Sequence, residues 1–399
     1  MEKPPMHIIF LSADTGGGHR ASAEALAKQF LIQYPGSTYE LIDVWSDHGV
    51  LPYRTLVNTY KRMSANPFEW RIFYHLSNTK LNEVCANIHS RITSGRAIKK
   101  RLQSSKPDCI ISVHPTMNHT PLKATNKISK ELGIHIPFYT VVTDLGSGHC
   151  MWFERNVDKL YVASDRLYNL ARKRGGTAPE DIVQTGLPIR HGFAIQNQKL
   201  MGDRTSKEGL EYQLSIRKQL KVIPNINKQC ILIMGGGEGV GSLSQIVHEL
   251  YISLTKNDID ATICVVCGRN EKSRGNVDIV PLGFLTNIPE YMVAADILVS
   301  KAGPGTIAEA AAVGLPVMMT SFLPGQEAGN VDVVLESQFG EYNNKPTEIA
   351  SIVTSWLQDP TLLTKLSQSA MEAGNPYAAD EIVNDIGSNT VAWMNLNKQ

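Results

Sequence analysis

Residues His7–Arg20 read HIIFLSADTGGGHR. The run His7–Leu11 has the make-up of a buried strand, the glycines Gly16, Gly17 and Gly18 break it, and the alanine-rich stretch Ala21–Phe30 continues as a helix. A strand, a glycine turn and a helix in that order open a βαβ unit. The helix start aims unpaired N–H groups and a positive dipole end into the space beyond the strand, and Gly17 and Gly18 let the backbone approach a ligand there. His19 stands in the first helical turn, where the dipole disfavours imidazolium, so a neutral ring able to accept a proton near pH 7 is expected. The motif alone leaves two roles open, a general base or a histidine that hydrogen-bonds a loop carbonyl.

Outward from this stretch, apolar runs alternate with helical patterns: TYELIDVW, DCIISVH, PFYTVVTDL, KLYVAS and DIVQTGLP in the first half, then CILIMGG, ATICVVCG, DIVPLGF, ADILVSK and LPVMMT after a polar segment, Gln196–Glu211. Such alternation means parallel βαβ units. An α/β protein of two doubly wound, Rossmann-like domains is expected, with a linker near 195–210. Residues 1–200 form the first domain, 201–375 the second, and 376–399 a helical segment returning toward the first. In open parallel sheets ligands bind beyond the carboxyl ends of the strands, so the cleft between domains is the expected site.

The second domain carries three glycine-bearing loops at such strand ends. Gly236, Gly237 and Glu238 follow CILIMG and suit a phosphate or a tight chain reversal. In KAGPGTIAEA, residues 301–310, Gly303, Gly305 and Thr306 can offer amides and a hydroxyl to a diphosphate, and Glu309 lies one helical turn further, where a carboxylate can accept from a ribose diol. In the loop 324–330, PGQEAGN, the side chains of Gln326, Glu327 and Asn330 present polyol-recognition chemistry, and Gly283-Phe284 can set backbone and ring against a base. Together they describe a nucleotide-sugar pocket. A dinucleotide site fails because no GxGxxG occupies the first βα turn, and a P-loop is absent.

Composition bounds the remaining classes. The chain has 399 residues, 42% hydrophobic and 19% charged, which suits two globular domains. Net charge is +1, yet residues 1–200 carry 25 Lys/Arg against 16 Asp/Glu and residues 201–399 carry 14 against 22. A basic half can face an anionic surface or merely carry solvated charge. The densest basic run, Arg91, Arg96, Lys99, Lys100, Arg101 and Lys106, falls on an expected helix that could lie against acidic headgroups. Six cysteines are too few and too dispersed for a disulfide framework, and Cys264 and Cys267 read as core. No secretory signal is visible, because the first strand begins within ten residues of Met1. Asp258 and Asp260 precede their strand, on the wrong edge of the sheet for a catalytic metal, and His48, His75, His114, His119, His135 and His149 lack ligand spacing, so no metal is expected. Residues 45–78 interleave aromatic side chains with Arg54, Lys61, Arg62 and Arg71, a mixture suited to the headgroup zone of a bilayer or to an amphipathic subdomain packed on the first sheet.

The motifs DTGGGHRASAEA, LIDVWSDH, IISVHP, VVTDL, TGLPIR, MGGGEG, CGRN, GF, KAGPGTIAEA and GQEAGN, in that order over about residues 6–385, closely resemble the monogalactosyldiacylglycerol synthases, of the family 28 type. The resemblance implies a GT-B fold and an inverting, cofactor-free and metal-independent transfer of galactose from UDP-galactose to the sn-3 hydroxyl of 1,2-diacylglycerol. It implies that His19 is the base, that Glu309, Gln326, Glu327 and Asn330 hold ribose and hexose, and that Phe284 lines the uracil pocket. Asp144, in VVTDL, would be a reserve base or orient His19, with a loop cap as the alternative. Pro52, beside Tyr53, matches an acceptor-loop proline, and Trp152 a tryptophan associated with anionic lipid. The implied partners are a UDP-sugar, diacylglycerol and phosphatidylglycerol or phosphatidic acid at a membrane surface; a homodimer is compatible and nucleic acid is not expected. Peripheral attachment would be at the plastid envelope in a plant or alga and at the cytoplasmic face of the plasma membrane in a bacterium. The long N-terminal extension of the plastid members is lacking. A diacylglycerol glucosyltransferase and a soluble GT-B nucleotide-sugar enzyme are the alternatives, the latter having no need of the aromatic-basic insert.

Overall fold

The computed structural model describes residues 3–13, 18–174, 176–221, 227–235, 243–266 and 276–398. Its strands form two six-stranded sheets. The first comprises β1 (His7–Leu11), β2 (Thr38–Ile42), β3 (Cys109–Ser112), β4 (Phe138–Val141), β5 (Lys159–Val162) and β6 (Ile182–Gln184), in the order β2-β1-β3-β4-β5-β6. The second comprises β7 (Gln229–Met234), β8 (Ala261–Val266), β9 (Val277–Leu282), β10 (Ile297–Ser300), β11 (Val317–Met319) and β12 (Gly340–Tyr342), in the order β12-β11-β10-β7-β8-β9. Every neighbouring pair is parallel.

Burial on both faces explains why these strands read as unbroken apolar runs. In β1, Ile9 and Leu11 join one core with Ile110, Val142 and Leu160, while Ile8 and Phe10 join the opposite core with Ile111, Tyr139 and Tyr161. Each large side chain so buried contributes roughly 1.5–3 kcal/mol. In the first sheet the chain reverses its winding between β1 and β3, and in the second between β7 and β10; these are the switch points where loops leave the carboxyl ends in opposite directions.

The chain divides into two compact units, Met1–His191 with Leu323–Gly329 and Tyr377–Gln399, and Gly192–Phe322 with Asn330–Pro376. The segment expected as a linker near 195–210 is instead helical over His191–Lys199 and again from Lys207. Its polar residues have structural partners: Ser206 caps the second of these helices by accepting from the Gly209 amide at 3.0 Å, and the buried Arg204 guanidinium donates to the carbonyls of Met292, Val293 and Val313.

The last helix, Ala378–Leu396, lies on the first sheet beside the helix Gly18–Gln33, where Ile382, Val383 and Ile386 share a core with Leu26, Ala27, Phe30 and Tyr34. Close approach is possible because Gly387 has no side chain; a Cβ there would lie 2.2–2.4 Å from Tyr34 ring atoms. In an exposed helix Gly→Ala would gain about 1 kcal/mol, but the Tyr34 ring is itself buried and cannot yield, so overpacking decides the sign. Gly387→Ala should therefore lower the unfolding free energy by about 1–3 kcal/mol in denaturant titration, and a stabilised variant would show that this helix is not packed tightly on Tyr34.

Candidate active site

Three neighbouring strand ends of the first unit converge on one place. The turn after β1 leads to the helix Gly18–Gln33 with His19, the loop after β3 carries His114, and the loop after β4 carries Thr143 and Asp144. His19 is buried, with its Nδ1 2.6 Å from the Thr143 hydroxyl oxygen, and the His114 ring packs edge-on at 4.9 Å between centroids. The Thr143 hydroxyl lies 3.2 Å from the Val113 carbonyl, to which it donates. A hydroxyl has one proton; given to the carbonyl, it leaves the oxygen to accept from Nδ1–H of His19, and the lone pair then resides on Nε2. Asp144 does not orient His19 in this arrangement; its Oδ2 accepts from the Trp152 indole N–H at 2.6 Å.

Desolvation sets the charge state of this cluster. Burial lowers His19 to about 4 and raises Asp144 to about 7, with the Trp152 hydrogen bond opposing the rise and Glu327 adding to it. His149 is lowered to about 4 and His114 well below its ordinary value, again by burial first. Three neutral imidazoles and a half-ionised carboxyl therefore meet at neutral pH.

They form the polar end of a cavity of about 260 Å³. Its walls include helices of the aromatic insert and the helix that follows it: Asn66 caps Pro67–Ser77 by accepting from the Phe68 and Glu69 amides, Thr79 caps Lys80–Ser105 by accepting from the Asn82 amide, and Leu56–Ser64 starts without a side-chain cap bond. Tyr60, Trp70, Phe73 and Tyr74 line it, as do Pro52 and Tyr53. Tyr53 stacks on Trp45 at 4.6 Å and donates its hydroxyl to the Ala86 carbonyl at 2.9 Å. Most of the lining is apolar, and His19, His114, Asp144, His149 and Gln326 are among its polar members.

The loop 323–329 belongs to this first unit. Leu323 fills the cluster of Tyr60, Trp70 and Tyr74, and Gly325, at φ +85°, lies where a Cβ would meet the Tyr74 ring at 2.5 Å. Gln326 lines the cavity, its buried Oε1 without a partner among the described residues. Glu327 turns its Oε2 back onto the Leu323 amide at 2.7 Å, and Asn330 donates to the Ala302 carbonyl at 2.9 Å, so both staple the loop.

In the second unit, the helix Pro304–Ala312 follows β10 with Gly303 at its N-cap and no side-chain cap bond, which leaves its first amides available. Among the described residues a Cβ at Gly305 would meet nothing within 4 Å, and Thr306 and Glu309 are half-buried on the same helix. Phe284 is 89% exposed after β9. Gly17, Gly236, Gly237 and Glu238 lie outside the described residues; Gly18 begins its helix, and a Cβ there would meet nothing within 4 Å among the described residues. Among the described residues no group of three or more His, Cys, Asp or Glu side chains could hold a metal ion.

Trp152 is corrected by its environment. It was expected to meet anionic lipid, but it is fully buried with its indole N–H committed to Asp144, and Cys150 and Phe153 are buried too. Thr143, His114 and His149 are the residues that sequence reasoning missed; the histidines passed as structural, and a hydroxyl residue beside Asp144 at a strand end was the available signal for Thr143.

Residues 19–189 match the model of the monogalactosyldiacylglycerol (MGDG) synthase family and residues 230–365 that of the glycosyltransferase family 28 C-terminal domain. A protein of Spinacia oleracea named monogalactosyldiacylglycerol synthase, chloroplastic, is 34% identical over 96% of this chain and 72% of its own. Monogalactosyldiacylglycerol synthase 3, chloroplastic, of Arabidopsis thaliana is 35% identical over 95% of this chain and 80% of its own. Among solved structures, Acinetobacter baumannii MurG superposes with a TM-score of 0.60 at 16% identity, over 96% of this chain and 100% of its own. The UDP-GlcNAc 2-epimerase of Neisseria meningitidis bound to UDP-GlcNAc does so with a TM-score of 0.53 at 13% identity, over 96% and 99%. These likenesses place the two α/β units in the GT-B fold, and the extended sequence identity shows that the chain belongs to the monogalactosyldiacylglycerol synthase family.

Proposed function

We propose that the protein is an inverting hexosyltransferase that moves galactose from UDP-galactose to the sn-3 hydroxyl of 1,2-diacylglycerol. The observation that carries this reading is the aromatic cavity with neutral His19 at its polar end, which suits an alcohol borne on an apolar body. An alcohol is a weak nucleophile, and a neutral base within reach supplies on the order of 10² to 10⁴ in rate. The hydroxyl proton passes to His19 Nε2, the oxygen bonds the anomeric carbon from the face opposite UDP, and the departing bond leaves its electron pair on the diphosphate. The donor side is assigned to the second unit: Gly305 and Thr306 amides with the helix dipole receive the diphosphate charge, which removes the need for a metal, Glu309 takes the ribose, and Phe284 stacks on the base. Gln326, from its place in the cavity wall, would address the hexose. Asp144 is the reserve base.

The site of action follows from the acceptor. No described helix is long and apolar enough to cross a membrane, so the proposal is a peripheral enzyme drawn to phosphatidylglycerol or phosphatidic acid, at the plastid envelope in a plant or alga and the cytoplasmic face of the plasma membrane in a bacterium. Incubating the purified protein and diacylglycerol with UDP-galactose or UDP-glucose, and identifying the glycolipid, tests class and sugar together: monogalactosyldiacylglycerol from UDP-galactose is expected, and no glycolipid from either donor would refute the reading.

His19→Ala should lower turnover at least about a hundredfold while UDP affinity stays within a few-fold, because the base acts on the acceptor. Since kcat/KM reports the free enzyme and His19 is neutral above about pH 4, the rate should hold as pH falls from 8 to about 5 and drop below that. A drop centred near pH 7 would assign the base to Asp144. Glu309→Ala should weaken UDP binding in calorimetry by roughly 1.5–3 kcal/mol, the worth of a charge-assisted hydrogen bond, and unchanged affinity would remove Glu309 from the donor site.

A further inference from the structure

We infer that the helix Lys80–Ser105 is a membrane-docking element, its first half inserting an apolar stripe into an anionic bilayer surface while its second half walls a basic groove that holds the phosphates of lipid headgroups. The inference rests on the proposed lipid acceptor and adds which face meets the bilayer and how.

Three features of the first unit lie on this 26-residue helix, about 39 Å long at 1.5 Å per residue. Leu81, Val84, Ile88 and Ile92, spaced three and four apart, form one stripe, and they are 76%, 47%, 48% and 72% exposed. Across a short turn, Phe68, Ile72 and Leu76 of the helix Pro67–Ser77 are likewise exposed, opposite the side on which Trp70 and Tyr74 are buried. An exposed apolar run of this extent marks a surface that meets a membrane or another protein, and the cations beside it favour the membrane. Asn82 and Ala86, on the same stretch, line the acceptor cavity, so the helix that carries the stripe also forms part of the cavity wall.

Ile92 joins the stripe to the second feature. It also lines a hollow between this helix and the helix His119–Leu132, together with Arg91, Arg96, Lys99, Lys123, Lys127 and Lys130. Lys99 pairs with Glu131, and Arg101, further along, pairs with Glu40, so the cations of the basic run are not equivalent. Lys123, Lys127 and Lys130 stand three and four apart on the facing helix. A concave surface holding six cations is complementary to phosphate oxygens, and each cation near an anionic leaflet adds about as much as one unit of charge in its surface potential can give. The stripe supplies insertion that salt does not screen, and the groove supplies attraction that it does: the Debye length falls from about 10 Å at 0.1 M to 3 Å at 1 M. Apolar stripe, cavity wall and basic groove thus share one helix, which commits the face to an anionic bilayer.

Co-sedimentation of the full chain with vesicles of phosphatidylcholine, with or without phosphatidylglycerol, tests this. Wild type should bind phosphatidylglycerol vesicles, lose part of that binding at 1 M salt and keep the remainder. The triple variant Leu81→Gln, Ile88→Gln, Ile92→Gln should bind at least about tenfold more weakly, and its residual binding should vanish at 1 M salt. Lys123→Gln, Lys127→Gln, Lys130→Gln should weaken binding to phosphatidylglycerol vesicles at least about threefold and make its salt dependence shallower, and wild-type binding with an unchanged salt dependence would overturn the groove's part in docking. Both should keep transfer to a dispersed short-chain diacylglycerol within about twofold of wild type; if wild type itself lacks that activity, the catalytic reading fails and the binding result stands alone. Wild-type binding by the apolar variant would overturn the inference. So would a lipid-free dimer that this variant converts to monomer, because the stripe would then be an interface between copies.

Discussion

Exclusion of water from the end of β1 is the constraint on which the site depends. Burial penalises whichever form of a group is charged, so it acts in opposite directions on His19 and Asp144, lowering one to about 4 and raising the other to about 7. A histidine kept neutral holds a lone pair for a proton; one charged by neighbouring carboxylates would not. Thr143 decides which nitrogen carries that lone pair, and the Val113 carbonyl decides the direction of the Thr143 hydroxyl. Trp152 contributes by satisfying Asp144 from within the core, where an unpaired carboxylate oxygen would be costly.

The parallel sheets make this arrangement possible. Because β1, β3 and β4 are neighbours, the loops leaving their carboxyl ends deliver His19, His114 and the Thr143-Asp144 pair to one place, although these residues are far apart in sequence. The second sheet has the same kind of switch point, between β7 and β10. One sheet gathers buried titratable groups, and the other sets a helix start with no side-chain cap bond.

The alternation of apolar runs and helical patterns made the two sheets legible, since strands buried on both faces leave no period-two pattern to confuse with a surface strand. The glycine turn and His19 were legible for a local reason, the helix start. Features set by tertiary packing were not. Gln326 and Glu327 read as one polyol-binding pair, yet packing of Leu323 and Gly325 against Tyr74 brings Gln326 to the cavity and turns Glu327 onto a backbone amide. Trp152 is linked to anionic lipid by the resemblance alone, and nothing in its local sequence shows that its ring is buried with the indole N–H on Asp144. The polar segment at 196–211 read as a linker because the carbonyls that pair with Arg204 are about ninety residues or more away.

The neutral, Nδ1-protonated state of His19 is the central claim, and nitrogen NMR of the histidine-labelled protein measures it directly. The ring is expected to stay neutral from pH 8 down to about 5 with its proton on Nδ1, and to lose this tautomer preference in Thr143→Val. A His19 that titrates near its ordinary value of 6.5, or that carries its proton on Nε2 at neutral pH, would contradict it.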